Sequence, residues 1–304
     1  MPPPASLPTV FDRRLVVARL DRALQSGGSD FLFERVRDDL VDRLLPVQRA
    51  FTSICDIGSP RPDLATALGK SRPEAILVRA APSPRALGHV GWLGVVADEE
   101  LNPFAPESFD LCVSALALHS VNDLPGALTQ VRRSLKPDGL FLGALLGGQT
   151  LQELHAVLAE AEAEIRGGAS PRVAPFSDVR DLGHLLQRAG FGLPVTDLDR
   201  VTVRYGSMFG LVADLRTMGL TNTLAHRDTR PLGRRMFLRA AQLYAERFAD
   251  PDGRLRATFD IVWLSGWAPH ESQQKPLRPG SAKMRLADAL GAQEQRIDVT
   301  GKAK

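Results

Sequence analysis

Between residues 50 and 147 the chain alternates compact apolar runs with helical stretches, and this alternation restricts the fold more than any other feature. The runs AFTSICDIG, EAILVRA, WLGVVA, FDLCVSALAL and GLFLGALLG lack polar alternation. That is the pattern of parallel strands covered on both faces. Between them, DLATALG reads as a short helix with Gly69 as its C-cap. LPGALTQVRRSL reads as another, N-capped by Asp123 and stopped by KPDG. Strand-helix alternation of this kind implies an α/β fold with a doubly wound sheet.

The flanking segments extend the pattern. FLFERVRDDLVDRLL (Phe31 to Leu45) has apolar residues three and four apart, with Asp30 as N-cap and Pro46 as stop. Residues 1–10 are expected to form a mobile tail. After the fifth strand come two helices (GQTLQELHAVLAEAEAEI and DVRDLGHLLQRAG) and a sixth strand, VTDLDRVTVRY. SMFGLVADLRTMG and PLGRRMFLRAAQLYAERFA then form a helical insertion before the last strand, TFDIVWLSGWA. PHESQQKPLRPGSAK is irregular and polar. The expected organisation is an extension over 1–29, a core over 30–203, the insertion over 204–255, the last strand and polar segment over 256–283, and a tail over 284–304.

Composition excludes several function classes. The net charge is +3, but arginines are interleaved with acidic residues, and nucleic-acid binding needs clustered positive charge. Cys55 and Cys112 stand in apolar runs and read as buried thiols, not as a disulfide or zinc site. No metal-ligand set stands out. No apolar run reaches the roughly 18–20 residues of a membrane span, and the amino terminus lacks the pattern of a signal peptide. The expected location is the cytoplasm, with peripheral contact at the inner membrane left open.

Ligands of such sheets bind beyond the carboxyl ends of the strands, so the loops there hold the candidate site. The first loop, CDIGSPRP (Cys55 to Pro62), keeps Asp56 and only Gly58 of the glycines that let a nucleoside cofactor approach the backbone. Pro60 and Pro62 remove two N–H donors and add bulk, which argues against a working cofactor loop. Where an acid would hold the ribose, at the end of the second strand, stand Arg79 and Ala80; Glu74 lies at the strand's other end. After the third strand, ADEE offers Asp98, placed to read a base edge or cap a helix, with Glu99 beside it. His119 follows the fourth strand, where an imidazole can donate, accept or titrate. HRD (His226 to Asp228) is a chance match to longer catalytic motifs. Trp267, His270, Glu271, Ser272, Gln273 and Lys275 follow the last strand, either as a polar tail or as crevice lining.

Taken together, these residues resemble the class I S-adenosylmethionine-dependent methyltransferase fold. More narrowly, VADEE, LHSVNDLPGAL, LKPDGLF, GGASPRVAPFSDVRDLGHLLQRAGF and GWAPHESQQKPLRPGSAK resemble the family of respiratory complex I assembly factors, which is related to the malonyl-acyl-carrier-protein methyltransferases of biotin synthesis. The resemblance implies a seven-stranded sheet and S-adenosylmethionine as cofactor, with Asp56, Gly58, Asp98 and Glu99 as its contacts. It makes His119 and His270 the catalytic candidates; the aromatic residue usual after His119 is Ser120 here. It implies a complex I iron-sulfur subunit, or another protein, as substrate for hydroxylation of an arginine or for methylation. A non-catalytic assembly chaperone and a malonyl-carrier-protein O-methyltransferase are the alternatives.

Overall fold

Strands buried along most of their length, with helices on both faces, decide the architecture. In a computed structural model describing residues 9–28, 30–88 and 91–273, seven strands form one sheet. They are β1 (Ser53–Ile57), β2 (Ile76–Ala81), β3 (Leu93–Val96), β4 (Phe109–Ala115), β5 (Leu135–Gly147), β6 (Gly192–Tyr205) and β7 (Leu255–Trp267). Their spatial order is β3-β2-β1-β4-β5-β7-β6. β1 to β5 are parallel, and β7 inserts antiparallel between β5 and β6.

Nine helices are described: α1 (Arg13–Ser26), α2 (Phe31–Leu44), α3 (Asp63–Ser71), α4 (Pro84–Leu87), α5 (Leu124–Ser134), α6 (Gln152–Arg166), α7 (Val179–Arg188), α8 (Met208–Thr217) and α9 (Arg234–Phe248). On one face of the sheet Ile54, Leu142, Leu146, Phe259 and Trp263 pack with apolar side chains of α2, α3, α6, α8 and α9. On the other, Cys55, Ile57, Phe141, Leu145 and Val262 pack with Leu128 and Val131 of α5 and Leu182 and Leu186 of α7. Each fully buried leucine or phenylalanine contributes roughly 1.5–3 kcal/mol. Cys55 and Cys112 face each other across β1 and β4 as free, fully buried thiols.

Several local expectations need correction. α3 runs through Gly69 to Ser71, because Gly69 does not take the left-handed conformation of a C-cap. β3 is an edge strand with Leu93 and Val96 exposed, so its apolar run is not covered on both faces. The amino-terminal extension holds a full helix, α1, capped by the Asp12 side chain. Val10, expected in a mobile tail, is tied down: its amide and that of Phe11 both donate to Asn122 Oδ1 at 2.8 Å. Residues 1–8, Lys275, the rest of the polar segment to 283, and the tail 284–304 lie outside the described residues. A second, carboxyl-terminal unit begins at Glu271, and its described residues, 271–273, form a turn.

Candidate functional site

The carboxyl ends of β1, β2, β3 and β4 bring the loops at 58, 82, 97 and 116 together, as a class I sheet dictates. Gly58 takes φ +71, and its amide donates to the Ala80 carbonyl at 2.9 Å. A Cβ at this position would lie 2.5 Å from Glu99 Cγ, so the Glu99 side chain rests directly on the glycine. Glycine is required here by both its conformation and the close approach.

Asp56 does not face a ligand. It is fully buried and paired with Arg79, itself fully buried on β2. Arg79 also donates to the carbonyls of Ser59 (2.5 Å) and Ala86 (2.9 Å), which ties the first loop to α4. Burial pushes the Asp56 carboxyl up, and Arg79 and Ser59 pull against that shift. Ser59, also buried, accepts from the Ala115 amide at 3.0 Å, fixing the same loop to β4.

Above this layer lies Arg13, which the sequence did not single out. Its guanidinium forks onto Asp98, with Nε to Oδ2 at 3.2 Å and Nη2 to Oδ1 at 3.0 Å. It pairs with Glu99 as well, and Nη1 donates to the Ser120 carbonyl at 2.9 Å. Burial lowers the Arg13 pKa, but Glu99 and Asp98 more than offset it and the net shift is upward. Burial pushes the Glu99 carboxyl up despite Arg13. A signal existed: α1 opens on two arginines with no acid in its first turn, an unfavourable pairing with the helix dipole unless the cations serve elsewhere.

The strap carrying Arg13 is held at several points. Phe11 is buried and bridges to Leu224, Asp12 donates its amide to the Thr223 carbonyl, and Asn122 Nδ2 donates to the Phe11 carbonyl. Asp98 also accepts from the Glu100 amide at 2.9 Å within a turn, but among the described residues no helix lies between β3 and β4, so it caps none. The cavity left among Ile57, Gly58, Ala80, Asp98, Glu99 and Phe104 has a volume of about 10 Å³. That is the limit for one water molecule.

His119 sits in a 3-10 turn beyond β4, its ring tilted against Phe176 with centroids 6.1 Å apart. Its Nδ1 is buried without a hydrogen-bond partner among the described residues. Burial, with a smaller contribution from Arg13, brings its pKa down to about 4. The imidazole is therefore neutral near pH 7 and can accept a proton or a hydrogen bond. His270 lies elsewhere. It follows β7, whose end pairs with the start of β5 (Leu140 with Trp267), so it sits at the opposite end of the sheet from His119. The residues of HRD are placed by structure: Asp228 pairs with Arg166, Arg172 and Arg230 around buried Glu162.

A methyltransferase-domain family model matches residues 30–193. The arginine-hydroxylase NDUFAF5 of Danio rerio, a mitochondrial protein, is 41% identical over 92% of this chain and 89% of its own length. The chain belongs to the arginine-hydroxylase branch of the methyltransferase-domain family. A malonyl-[acyl-carrier protein] O-methyltransferase of Methylovorus sp. is a more distant relative, 31% identical over 86% of this chain and 90% of its own. The YcgJ protein of Bacillus subtilis shares the fold, with a TM-score of 0.53 at 14% identity, covering 77% of this chain and 99% of that one.

Class I methyltransferase folds as a class use S-adenosylmethionine. The residues present in this member do not fit it. Glu99 lies on the glycine that the nucleoside would approach, Arg13 spans the acids that would read the base, and Ala80 offers the ribose no carboxylate. The Asp56 carboxylate is engaged by Arg79.

Proposed function

We propose that this chain is an assembly factor for respiratory complex I that engages a protein subunit without using S-adenosylmethionine. The observation that carries this reading is the filled crevice, with Glu99 on Gly58 and Arg13 across Asp98 and Glu99. A malonyl-carrier-protein methyltransferase would need the methyl donor's seat, which these groups fill. The relatives named arginine-hydroxylase, together with the family strings of the sequence, support an iron-sulfur subunit of complex I as the protein engaged. Among the described residues no helix is long and apolar enough to cross a membrane. A peripheral position on the cytoplasmic face of the inner membrane is supported by exposed Phe209, which packs on Phe237 of α9, and by exposed Leu238 and the arginines Arg234 and Arg235 of the same helix.

A second reading, modification of an arginine in that subunit, is favoured by His119. Its neutral, buried imidazole lies beyond β4 close enough for Arg13 to depress its pKa. Two measurements separate these readings. Calorimetry with 1 mM S-adenosylmethionine (a concentration on the order of the weakest useful affinities) should give no binding heat; a saturable isotherm would overturn the first. Complex I content should fall in a deletion strain and return with both the wild-type chain and His119→Ala. Rescue by wild type alone, with one added oxygen on a subunit arginine by mass spectrometry, would establish the second.

A further inference from the structure

Strand β3 ends one side of the sheet without the devices that usually protect an exposed edge. Residues 92–96 read WLGVV, with no charge and no proline. Among the described residues β3 pairs with β2 alone. Ala97 donates its amide to the Ala81 carbonyl at 2.9 Å. By alternation the amides of Leu93 and Val95 face β2, and those of Gly94 and Val96 point outward. Leu93 is 63% exposed, Val96 50%, and Ile76 at the start of β2 62%. Leu93 and Ile76 lie on one face of the sheet and Val96 on the other, so a strand added at this edge meets an exposed apolar side chain on each face.

Where β2 and β3 begin, a groove of about 630 Å³ opens between them and the end of α3, a size within the range of ligand sites. Trp92 lines it, and the indole Nε1 is a buried donor with no acceptor among the described residues. Lys70 and Arg72 line it too, and neither meets a carboxylate among the described residues. The neighbours of Arg72 are neutral: the Ser71 hydroxyl, the Leu44 carbonyl and the face of Phe51. Burial lowers its pKa with no acid to offset the shift. Glu74 is exposed and does not line the groove.

We infer that the β3 edge and its groove dock an extended acidic segment of a partner protein, which adds to the sheet as a further strand. The inference rests on the assembly-factor reading and supplies its contact surface. The outward amides of Gly94 and Val96 give main-chain pairing, and Leu93, Val96 and Ile76 take apolar side chains. A carboxylate entering the groove meets Lys70 and Arg72. Two cations that meet no carboxylate among the described residues favour an acidic partner over a second copy of this chain, whose own β3 carries no acid.

The test uses the full chain and a fluorescein-labelled decapeptide of alternating glutamate and valine, followed by fluorescence anisotropy. The control alternates lysine and valine. The acidic peptide should bind saturably and about tenfold or more tighter than the control, the size of one effective charge contact. The Lys70→Glu/Arg72→Glu pair should weaken binding about tenfold. Val96→Pro removes an outward amide without touching the β2 ladder and should abolish it. Thermal unfolding checks that each variant is folded, and the charge-reversal pair decides the matter if Val96→Pro does not fold. Equal binding of both peptides, no binding, or binding indifferent to the charge reversal would overturn the inference. So would a dimer in sedimentation that Val96→Pro dissolves and the acidic peptide does not. Loss of peptide binding with calorimetry still silent for S-adenosylmethionine sinks only the docking surface; a methyl-donor isotherm sinks the assembly-factor reading whatever the peptide does.

Discussion

Replacing Arg79 by methionine should be among the most damaging single changes in this chain. Arg79 and Asp56 are both fully buried, and the guanidinium also holds the Ser59 and Ala86 carbonyls. Methionine fills much of the volume but leaves Asp56 with no counter-ion among the described residues, where its Oδ1 already lacks a partner. Breaking a buried pair from one side costs about 3–5 kcal/mol. For a chain of this size that corresponds to a fall in Tm of roughly 6–20 °C. The pH dependence carries the signature. Burial already holds the folded Asp56 pKa above its ordinary value, and without Arg79 it rises further. A carboxyl with a raised folded pKa binds more protons folded than unfolded, so stability falls as pH rises through that pKa. The deficit of Arg79→Met relative to wild type should therefore be largest at pH 7.5 and shrink toward pH 4. Asp56→Asn/Arg79→Met should recover part of the loss, because no buried charge remains. Thermal unfolding by circular dichroism at the two pH values measures all three chains. A Tm within 2 °C of wild type for the single variant, or a deficit independent of pH, would refute the reasoning (the threshold being about 1 kcal/mol at this size).

Three further outcomes follow from the same site and its surroundings. Gly58→Ala should lose roughly 2–4 kcal/mol, from the left-handed backbone and the Glu99 overlap together, and Glu99→Ala in the same chain should return only the steric part; chemical denaturation of the four chains reads this. The His119 imidazole should titrate at about 4, so its NMR shifts stay constant from pH 5 to 8; its depressed pKa contributes stability present above its unfolded value and lost as pH falls through the folded one, and an inflection near the ordinary 6.5 would contradict the burial argument. Glu162, held at about 2 by Arg172 and Ser170, contributes stability present above its ordinary pKa and lost as pH falls toward 2; Glu162→Gln should flatten the acid limb of a Tm-against-pH curve, and an unchanged limb would count against the network.

Much of the fold was legible because its signals are local. Asp30 and Asp123 cap their helices where the sequence places them, accepting from the amides of Phe33 and Gly126. Gly69 misled because a glycine near a helix end looks the same whether the helix stops there or continues two residues. The direction of β7 was not legible, since an apolar run reads alike in either direction. Of the candidate residues, Gly58, Asp98 and Glu99 stand together, and His119 lies beyond β4 within the field of Arg13. Arg13 was missed because its partners lie 85 and 86 residues away. His270 was named as part of the polar segment after the last strand, and the antiparallel run of β7 carries it to the opposite end of the sheet.

By itself the sequence determined an α/β sheet with helices on both faces and a first loop poor in glycine, because apolar period and turn chemistry act within a few residues. It also showed Arg79 and Ala80 where a ribose-binding acid would stand. Only the tertiary structure decided what fills the place of the cofactor. Arg79 turns inward to neutralise Asp56, and a strap from the amino terminus lays Arg13 across Asp98 and Glu99. Which charges meet in a buried crevice depends on how distant segments pack, since each carboxylate withdrawn from water must find its cation wherever the fold brings one.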